Sequence, residues 1–171
     1  AMTMLMDKDI NCSNFRGLLG YLGKNYGDEG VWQTLDGLVD DDSYLVADKE
    51  NPSNLIRVHE HHLNDSAYWV SNEFSLALFA NAKKVFGGSN ALVKAGEHAV
   101  IEQFSKTNLF LSRIFSTKFV CKQPAKVNAR FNRTKQVKLC ELTNNSAVFE
   151  LHYYPGFQVT KDICNWNMGI Y

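Results

Sequence analysis

The first third of the chain combines helical patterns with an acidic segment. Ser13 is a favourable N-cap and Gly27 a favourable stop, and the apolar residues between them share one helical face: Phe15, Leu18, Leu19 and Leu22. The spacing predicts a helix over about 13–26. Asp28 opens a second, shorter helix, and the acidic, proline-containing chain over 40–54 is predicted to be an exposed loop.

Two helices are predicted in the middle of the chain. Ser71 is an N-cap for the first, and Gly87 and Gly88 stop it after apolar residues at helical spacing: Phe74, Ala77, Leu78 and Val85. Asn90 opens the second, whose apolar residues keep the same period: Leu92, Val93, Ala95, Ala99 and Val100. Both ends of the first helix are therefore marked by local signals.

Two more helices are predicted before residue 133. The first is marked by its apolar residues alone: Leu109, Phe110, Ile114 and Phe115. Pro124 suits the first turn of the second, because proline lacks the N–H that a first turn leaves unpaired. Val127 and Phe131 lie four residues apart on this helix, and we expect both to pack inward.

The period of the apolar residues changes to two after Arg133. Val137 and Leu139 alternate with Lys138 and Cys140. Four turn-forming residues follow, and a second alternating run then places its largest apolar residues on one face: Phe149, Leu151 and Tyr153. The pattern predicts a β-hairpin with one face covered by helices.

These elements predict an α+β fold in which helices pack on a small antiparallel sheet with a C-terminal β-hairpin. Thr160 caps a last helical segment, which includes three apolar residues: Ile163, Cys164 and Met168. A length of 171 residues leaves room for one core. We assign residues 1–12 to an N-terminal extension that starts with a cloning remnant. We assign residues 13–171 to a single domain, whose fold we expect to continue past the last residue.

Composition and charge exclude several classes of protein. The chain is 45% hydrophobic and 21% charged with only 3 Pro, which excludes disordered and collagen-like proteins. The 18 basic and 18 acidic residues cancel, but they are unevenly placed. Residues 1–65 hold 5 Lys or Arg against 12 Asp or Glu, whereas residues 66–171 hold 13 against 6. The neutral total argues against a nucleic-acid partner.

The cysteines and the apolar runs bear on location. The 4 cysteines lack the short spacings of metal sites, and the chain opens without a basic and then apolar signal segment. Three cysteines are interpreted as small core residues: Cys121, Cys140 and Cys164. We therefore expect reduced thiols and a cytoplasmic location. The apolar runs are far shorter than the ~20 residues that span a bilayer, so we expect no direct membrane insertion.

A run of nine cations without any acidic residue lies between Gln103 and Cys140. Four of them recur at intervals of four, four and three and would form one stripe on a helix: Lys122, Lys126, Arg130 and Arg133. The candidate contacts for an anionic group are Lys126, Arg130 and Arg133. The partner would be a ligand head group or the acidic first third of a neighbouring chain, and a solvated surface is the alternative.

The densest cluster of potential metal ligands consists of His59, Glu60, His61 and His62. Zinc proteases carry their second histidine four residues after the first, and Leu63 occupies that position. His59, His61 and His62 are candidates for another mononuclear metal site, with an exposed polar loop as the alternative. No serine or cysteine enzyme motif is present, and we predict that the chain is not an enzyme.

Several segments together resemble a bacterial sensor module. They are Trp69-Val-Ser-Asn-Glu-Phe74, Lys94-Ala-Gly96, Pro124-Ala-Lys-Val-Asn-Ala-Arg-Phe-Asn132, the hairpin, and Tyr154-Pro-Gly156 followed by Cys164. The similarity is to the N-terminal input domains of histidine kinases, nucleotide cyclases and diguanylate cyclases. That group is related to 4-vinyl reductase domains, haem nitric-oxide-binding domains and Golgi transport-complex subunits. The resemblance covers about residues 13–171.

This resemblance implies a pocket between helices and sheet that binds a small apolar or amphipathic molecule and biases an attached or partner signalling enzyme. Aromatic residues are the candidates for its lining: Trp69, Phe74, Phe79, Phe110, Phe115, Phe149 and Tyr153. Haem is not supported, because the sequence over 110–113 breaks the alternate Tyr, Ser and Arg spacing of haem-based nitric-oxide sensors.

The alternative function is a protein–protein interaction or dimerisation module without a ligand. The acidic first third and the basic remainder of one chain could meet their counterparts in a second chain. A homodimer is the partner that this alternative predicts.

Overall fold

The structure is a computed structural model that describes residues 8–103, 121 and 123–171. Within these ranges the chain forms five α-helices: α1 (Arg16–Leu35), α2 (Asn72–Phe86), α3 (Asn90–Gln103), α4 (Gln123–Phe131) and α5 (Lys161–Ile170). Six strands pair antiparallel in three sheets: β1 (Ile10–Asn11) with β4 (Trp69–Val70), β2 (Leu45–Ala47) with β3 (Leu55–Arg57), and β5 (Lys135–Leu142) with β6 (Ala147–Tyr153). The predicted α+β fold with a C-terminal β-hairpin is confirmed.

Helix α1 contains both helices that are predicted near the start of the chain. Gly27 interrupts it with φ 67° and ψ −173°, a conformation that is open to glycine and costly for other residues. A short 3-10 helix over Cys12–Phe15 precedes α1. Asn11 caps this turn, because its Oδ1 accepts a hydrogen bond from the Ser13 N–H at 3.1 Å. The cap is therefore Asn11 rather than Ser13.

The packed structure begins before residue 13, where we placed the domain boundary. Ile10 pairs with Val70 and Asn11 with Trp69. Ile10 and Cys12 are buried, and the Asn11 side chain donates a hydrogen bond to the Ser66 carbonyl at 2.8 Å. Part of the segment assigned to an extension is thus a strand of the fold.

The acidic segment over 40–54 contains a strand where we predicted only a loop. Strand β2 pairs with β3, with Val46 opposite Ile56, and the Val46 side chain is fully buried. Around this small hairpin the chain remains exposed, and Asp41 and Asp42 lie on the surface. Asp41 and Asp42 therefore form an exposed acidic edge, and the buried Val46 side chain attaches this segment to the core.

Helix α2 has the two ends that the sequence predicts. The Ser71 hydroxyl accepts a hydrogen bond from the Phe74 N–H at 3.2 Å, and Gly87 ends the helix at φ 71°. Helix α3 begins at Asn90, also as predicted. Six of the largest fully buried side chains come from these two helices, from α1 and from the 3-10 helix before α1: Phe15, Leu18, Leu22, Phe74, Leu78 and Leu92.

Two glycines let α3 and α5 pack backbone to backbone. A Cβ atom added to Gly169 would lie 2.0 Å from the Val93 carbonyl oxygen, and one added to Gly96 would lie 2.5 Å from the Trp166 carbonyl oxygen. This close approach holds α5 over the core, where Ile163 and Trp166 are buried. Helix α5 thus closes one side of the molecule.

The inward faces of α4 and α5 differ from those predicted. Val127 is 50% exposed, and Asn128 is the buried residue of α4 because its side chain donates to the Lys135 carbonyl at 2.9 Å. On α5, Cys164 and Met168 face outward, and Met168 is 69% exposed. Cys140 is exposed too, so neither it nor Cys164 is a core residue.

Two further predictions concern a helix around residues 109–115 and membrane-spanning helices. The helix expected around residues 109–115 lies outside the described residues. Within the described ranges no helix combines the length and the apolar composition needed to cross a bilayer.

Candidate functional site

The aromatic residues expected to line one pocket are divided between two places. Phe74 and Phe79 are at most 3% exposed and pack in the main core. The Phe74 ring lies 6.0 Å from Phe15, and the Phe79 ring lies 5.3 Å from Trp166. These two side chains fill the core instead of lining a shared pocket with the hairpin. Two further members of the set, Phe110 and Phe115, lie outside the described residues.

Of the other described aromatic candidates, two lie on the hairpin and one lies on β4. Phe149 and Tyr153 are half-buried on one face of β6, and the Phe149 ring lies 5.9 Å from Tyr171. Trp69 is half-buried on β4, where the Arg133 guanidinium stacks over its indole at 4.4 Å. Phe149 and Tyr153 therefore share a face, and Trp69 belongs to a different contact.

A buried lysine lies at the start of the hairpin, opposite Tyr153 in the β5–β6 register. Lys135 is only 5% exposed, and its Nζ donates a hydrogen bond to the Asn167 Oδ1 at 2.6 Å. The Asn167 Nδ2 in turn donates to the Tyr153 hydroxyl at 2.8 Å. One amide from α5 thus holds a lysine and a tyrosine side by side.

The electrostatics of this group are unusual. Burial lowers the pKa of Lys135 to about 8, and the nearby Cys164 thiol opposes that shift only in part. Burial also raises the pKa of Tyr153 to about 12 and that of Tyr171 still further. Among the described residues no carboxylate forms an ion pair with Lys135, whose ammonium lies 5.5 Å from the Tyr153 ring centre. A buried charge without a counter-ion is costly.

The Lys135 side chain lies between the apolar face of the hairpin and α5, to which it is hydrogen-bonded through Asn167. Leu139, Phe149 and Leu151 are half-buried on the same face of the hairpin as Lys135. Cys164 on α5 is exposed, yet it is close enough to influence the titration of both Lys135 and Tyr153. The buried cation therefore lies beside an apolar face and close to an exposed residue of α5. We call Lys135, Asn167, Tyr153 and Tyr171 the Lys135 cluster.

Lys135 is one of the nine cations between Gln103 and Cys140, and its burial is not predicted from the sequence. The alternation that predicts β5 contains the needed signal, since Lys135 lies two residues before Val137 and hence on its face of the strand. Val137 is buried, and Lys135 is buried beside it.

The predicted cationic stripe is shorter than expected. Lys126 and Arg130 are exposed on α4, one helical turn apart. Helix α4 ends at Phe131, so Arg133 follows the helix instead of continuing its face. Lys122, the fourth member of the stripe, is outside the described residues. Two cations on α4 and a third stacked on Trp69 remain as an exposed basic surface.

The three histidines adopt distinct environments on a 3-10 helix over Glu60–Asn64 and at its cap. His62 is buried against Tyr68 at 4.2 Å, and its Nδ1 accepts a hydrogen bond from the His59 N–H at 3.1 Å. The His59 Nδ1 contacts the Asp40 carboxylate, and His61 is exposed. Burial lowers the pKa of His62 to about 4, and the neighbouring His61 and His59 add to this shift.

This arrangement does not assemble a metal centre. Across the part of the chain that the structure describes, no three or more His, Cys, Asp or Glu side chains come together to hold a metal ion. The histidines instead join the 3-10 helix to the acidic edge through the contact between His59 and Asp40. Asp40, His59, Glu60 and His61 line an open depression there.

The comparisons with known proteins add no family assignment. No protein-family model matches the chain, and no curated protein matches its sequence.

Proposed function

We propose that this chain is a small-molecule-sensing input domain of a bacterial signalling protein, and that it binds an amphipathic ligand at the Lys135 cluster. The attached or partner signalling enzyme would be a histidine kinase, a nucleotide cyclase or a diguanylate cyclase. The proposal also places the domain in the cytoplasm and assigns it no catalytic step. The single observation that carries it is a buried ammonium without a described carboxylate partner beside a half-buried apolar face.

The physical reason is the cost of the buried charge. A protein that keeps an ammonium out of water loses stability unless another group compensates the charge. An anionic ligand supplies that compensation, and the free energy that it recovers contributes to affinity. Apolar side chains next to the cation favour a ligand that also carries an apolar part.

The experiment uses the full chain, freed of bound lipid by partial unfolding and refolding, and the fluorescent anionic probe 1-anilinonaphthalene-8-sulfonate. We expect saturable binding at one site and a clear loss of affinity in Lys135→Met. The control is Lys138→Met, because Lys138 is exposed on the same strand. If the wild type and Lys135→Met bind the probe equally, or neither binds it, the proposal is wrong.

A second candidate function is the interaction module, and one surface favours it. Val127 is 50% exposed on α4 between Lys126 and Arg130. Asp41 and Asp42 are exposed at the acidic edge, and Arg57 pairs with Asp42 at 2.6 Å. A basic surface with an apolar centre fits an acidic partner. Light scattering after size exclusion tests this function, because a salt-indifferent monomer contradicts it.

A further inference from the structure

We propose that the Lys135 cluster recognises a carboxylate, and that its ligand class is a monocarboxylate with an apolar chain. This inference rests on the proposed function, since it names the head group of the ligand bound there. Three features support it: the free donors of the cluster, the number of its cations, and the direction of the apolar face beside it.

The donors of the cluster are only partly used. The Lys135 ammonium has three N–H donors, and within the described residues one of them is bonded, to the Asn167 Oδ1. The Tyr153 hydroxyl accepts from the Asn167 Nδ2, which leaves its own proton free to be donated. Because both groups are bound to one amide, these free donors lie close together. Two adjacent donors match the two oxygens of a carboxylate.

The charge of the cluster favours a monoanion. Lys135 is the one cation that contacts Tyr153 and Tyr171 within the described residues. Lys138 is exposed on the strand, and Arg133 is stacked on Trp69. A phosphate monoester would bring a second negative charge into a site with a single buried cation, and the uncompensated charge would be costly.

The apolar face of the hairpin indicates where the alkyl chain of the ligand would lie. Lys135 pairs with Tyr153 at one end of the hairpin, and Leu139 pairs with Phe149 four residues further on. At about 3.3 Å per residue this distance is roughly 13 Å. That length is comparable to an alkyl chain of medium length. A linear fatty carboxylate therefore fits the direction from the cation along the sheet.

Three probes with the same chain distinguish the possible head groups: dodecanoate, 1-dodecanol and dodecyl phosphate. Binding to the delipidated full chain is measured by displacement of a fluorescent fatty-acid analogue. We expect dodecanoate to bind more tightly than the other two. Hydrogen bonds to charged groups contribute about 1.5–3 kcal/mol, so Lys135→Met should weaken dodecanoate binding by about 10- to 100-fold. Tyr153→Phe should weaken it by a few fold, and Lys138→Met should leave it unchanged.

The binding results distinguish a failure of the carboxylate inference from a failure of the proposed function. If dodecanol binds Lys135→Met as well as it binds the wild type, the variant is folded and a loss of dodecanoate binding is specific to the head group. Equal binding of dodecanoate and dodecanol to the wild type would overturn the carboxylate inference and leave the proposed function standing. Tighter binding of dodecyl phosphate would overturn it too. If no probe binds to a folded wild type, the proposed function fails with it.

Discussion

The amino group of Lys135 is buried in the folded chain and moves into water on unfolding. A pKa that is lowered from 10.5 to about 8 corresponds to a cost of about 3 kcal/mol for keeping the charged form buried. Below pH 8 the folded and unfolded chains are both protonated, so the full cost is present. Between pH 8 and 10.5 the folded chain loses its proton first, so this group makes stability rise with pH.

We therefore predict that Lys135→Met is more stable than the wild type by up to about 2 kcal/mol at neutral pH, because the relief of the buried charge is offset in part by the lost hydrogen bond to the Asn167 Oδ1. The difference should shrink near pH 9.5, because the wild type has by then lost the buried charge. Urea unfolding at the two pH values measures both quantities, and Lys138→Met is the matched control on the same strand. A stability difference that is the same at both pH values would contradict the buried-charge explanation.

His62 makes stability depend on pH in the acidic range. Its pKa is lowered to about 4 in the folded protein, so the unfolded chain binds more protons between pH 4 and 6.5. Stability is therefore lost as the pH falls through this window. Protonation of Nδ1 also removes the acceptor for the His59 N–H.

The test compares the wild type with His62→Gln, which does not titrate. We expect the stability advantage of the wild type to decrease from pH 7 to pH 4.5 when unfolding is followed by circular dichroism. His152→Gln serves as the control, because His152 is exposed on β6. An advantage that stays constant over this range would show that folding does not lower the pKa of His62.

For single residues, helix caps are predicted from the sequence more accurately than the burial of side chains. Ser71 and Thr160 are correct caps, because the cap depends on the residue and the next few positions. The prediction that Val127 packs inward is wrong, and the sequence analysis does not predict the burial of Lys135. Burial depends on which distant element covers a face, and α5 with its Asn167 is what covers Lys135.

Among the elements, α1 offers a paired prediction. Gly27→Ala places an alanine at φ 67°, and we expect it to lower the free energy of unfolding by about 1–3 kcal/mol. In the same helix, the Cβ atom that Gly23→Ala adds would make one ordinary van der Waals contact, with the Val31 side chain at 3.8 Å. This substitution should raise stability by roughly 0.5–1 kcal/mol, because alanine is the better helix former. Thermal unfolding distinguishes the two directions, and equal effects would contradict the assigned break at Gly27.

The contact between α3 and α5 is sensitive to a single methyl group. Gly169→Ala would place Cβ 2.0 Å from the Val93 carbonyl oxygen, so the two helices must separate. Overpacking of this kind costs about 1–3 kcal/mol. Gly88→Ala is the control, because nothing lies within 4 Å of its Cβ position, and it should change stability by less than about 0.5 kcal/mol. Similar urea midpoints for both variants would refute the close packing.

Longer elements are predictable from the sequence, and very short strands are not. The β5–β6 hairpin and α2 contain several turns or alternations, and these periods are visible. Strands β1 and β2 have two and three residues, too few for a period to show. Their pairing comes from the tertiary fold, which places Ile10 opposite Val70. The candidate site was missed for the same reason, since it joins β5, β6 and α5.

At the scale of the molecule, charge is separated between the acidic edge and the basic surface of α4. If copies associate through these surfaces, the triple variant Lys126→Glu, Arg130→Glu and Arg133→Glu should remain monomeric at low salt. Light scattering after size exclusion measures the mass. The control reverses three exposed cations elsewhere: Lys24, Lys94 and Lys161. Association that persists unchanged in the first variant would show that the basic surface is only solvated.

The packing of α5 against α3 also has a consequence for synthesis of the protein. Trp166 covers Phe79, but α5 is made after every other described element. A ribosome that adds about 5–20 residues each second therefore leaves the part of α2 and α3 that α5 covers exposed until the segment after Thr160 has emerged. During that interval the nascent chain exposes an apolar surface that favours aggregation.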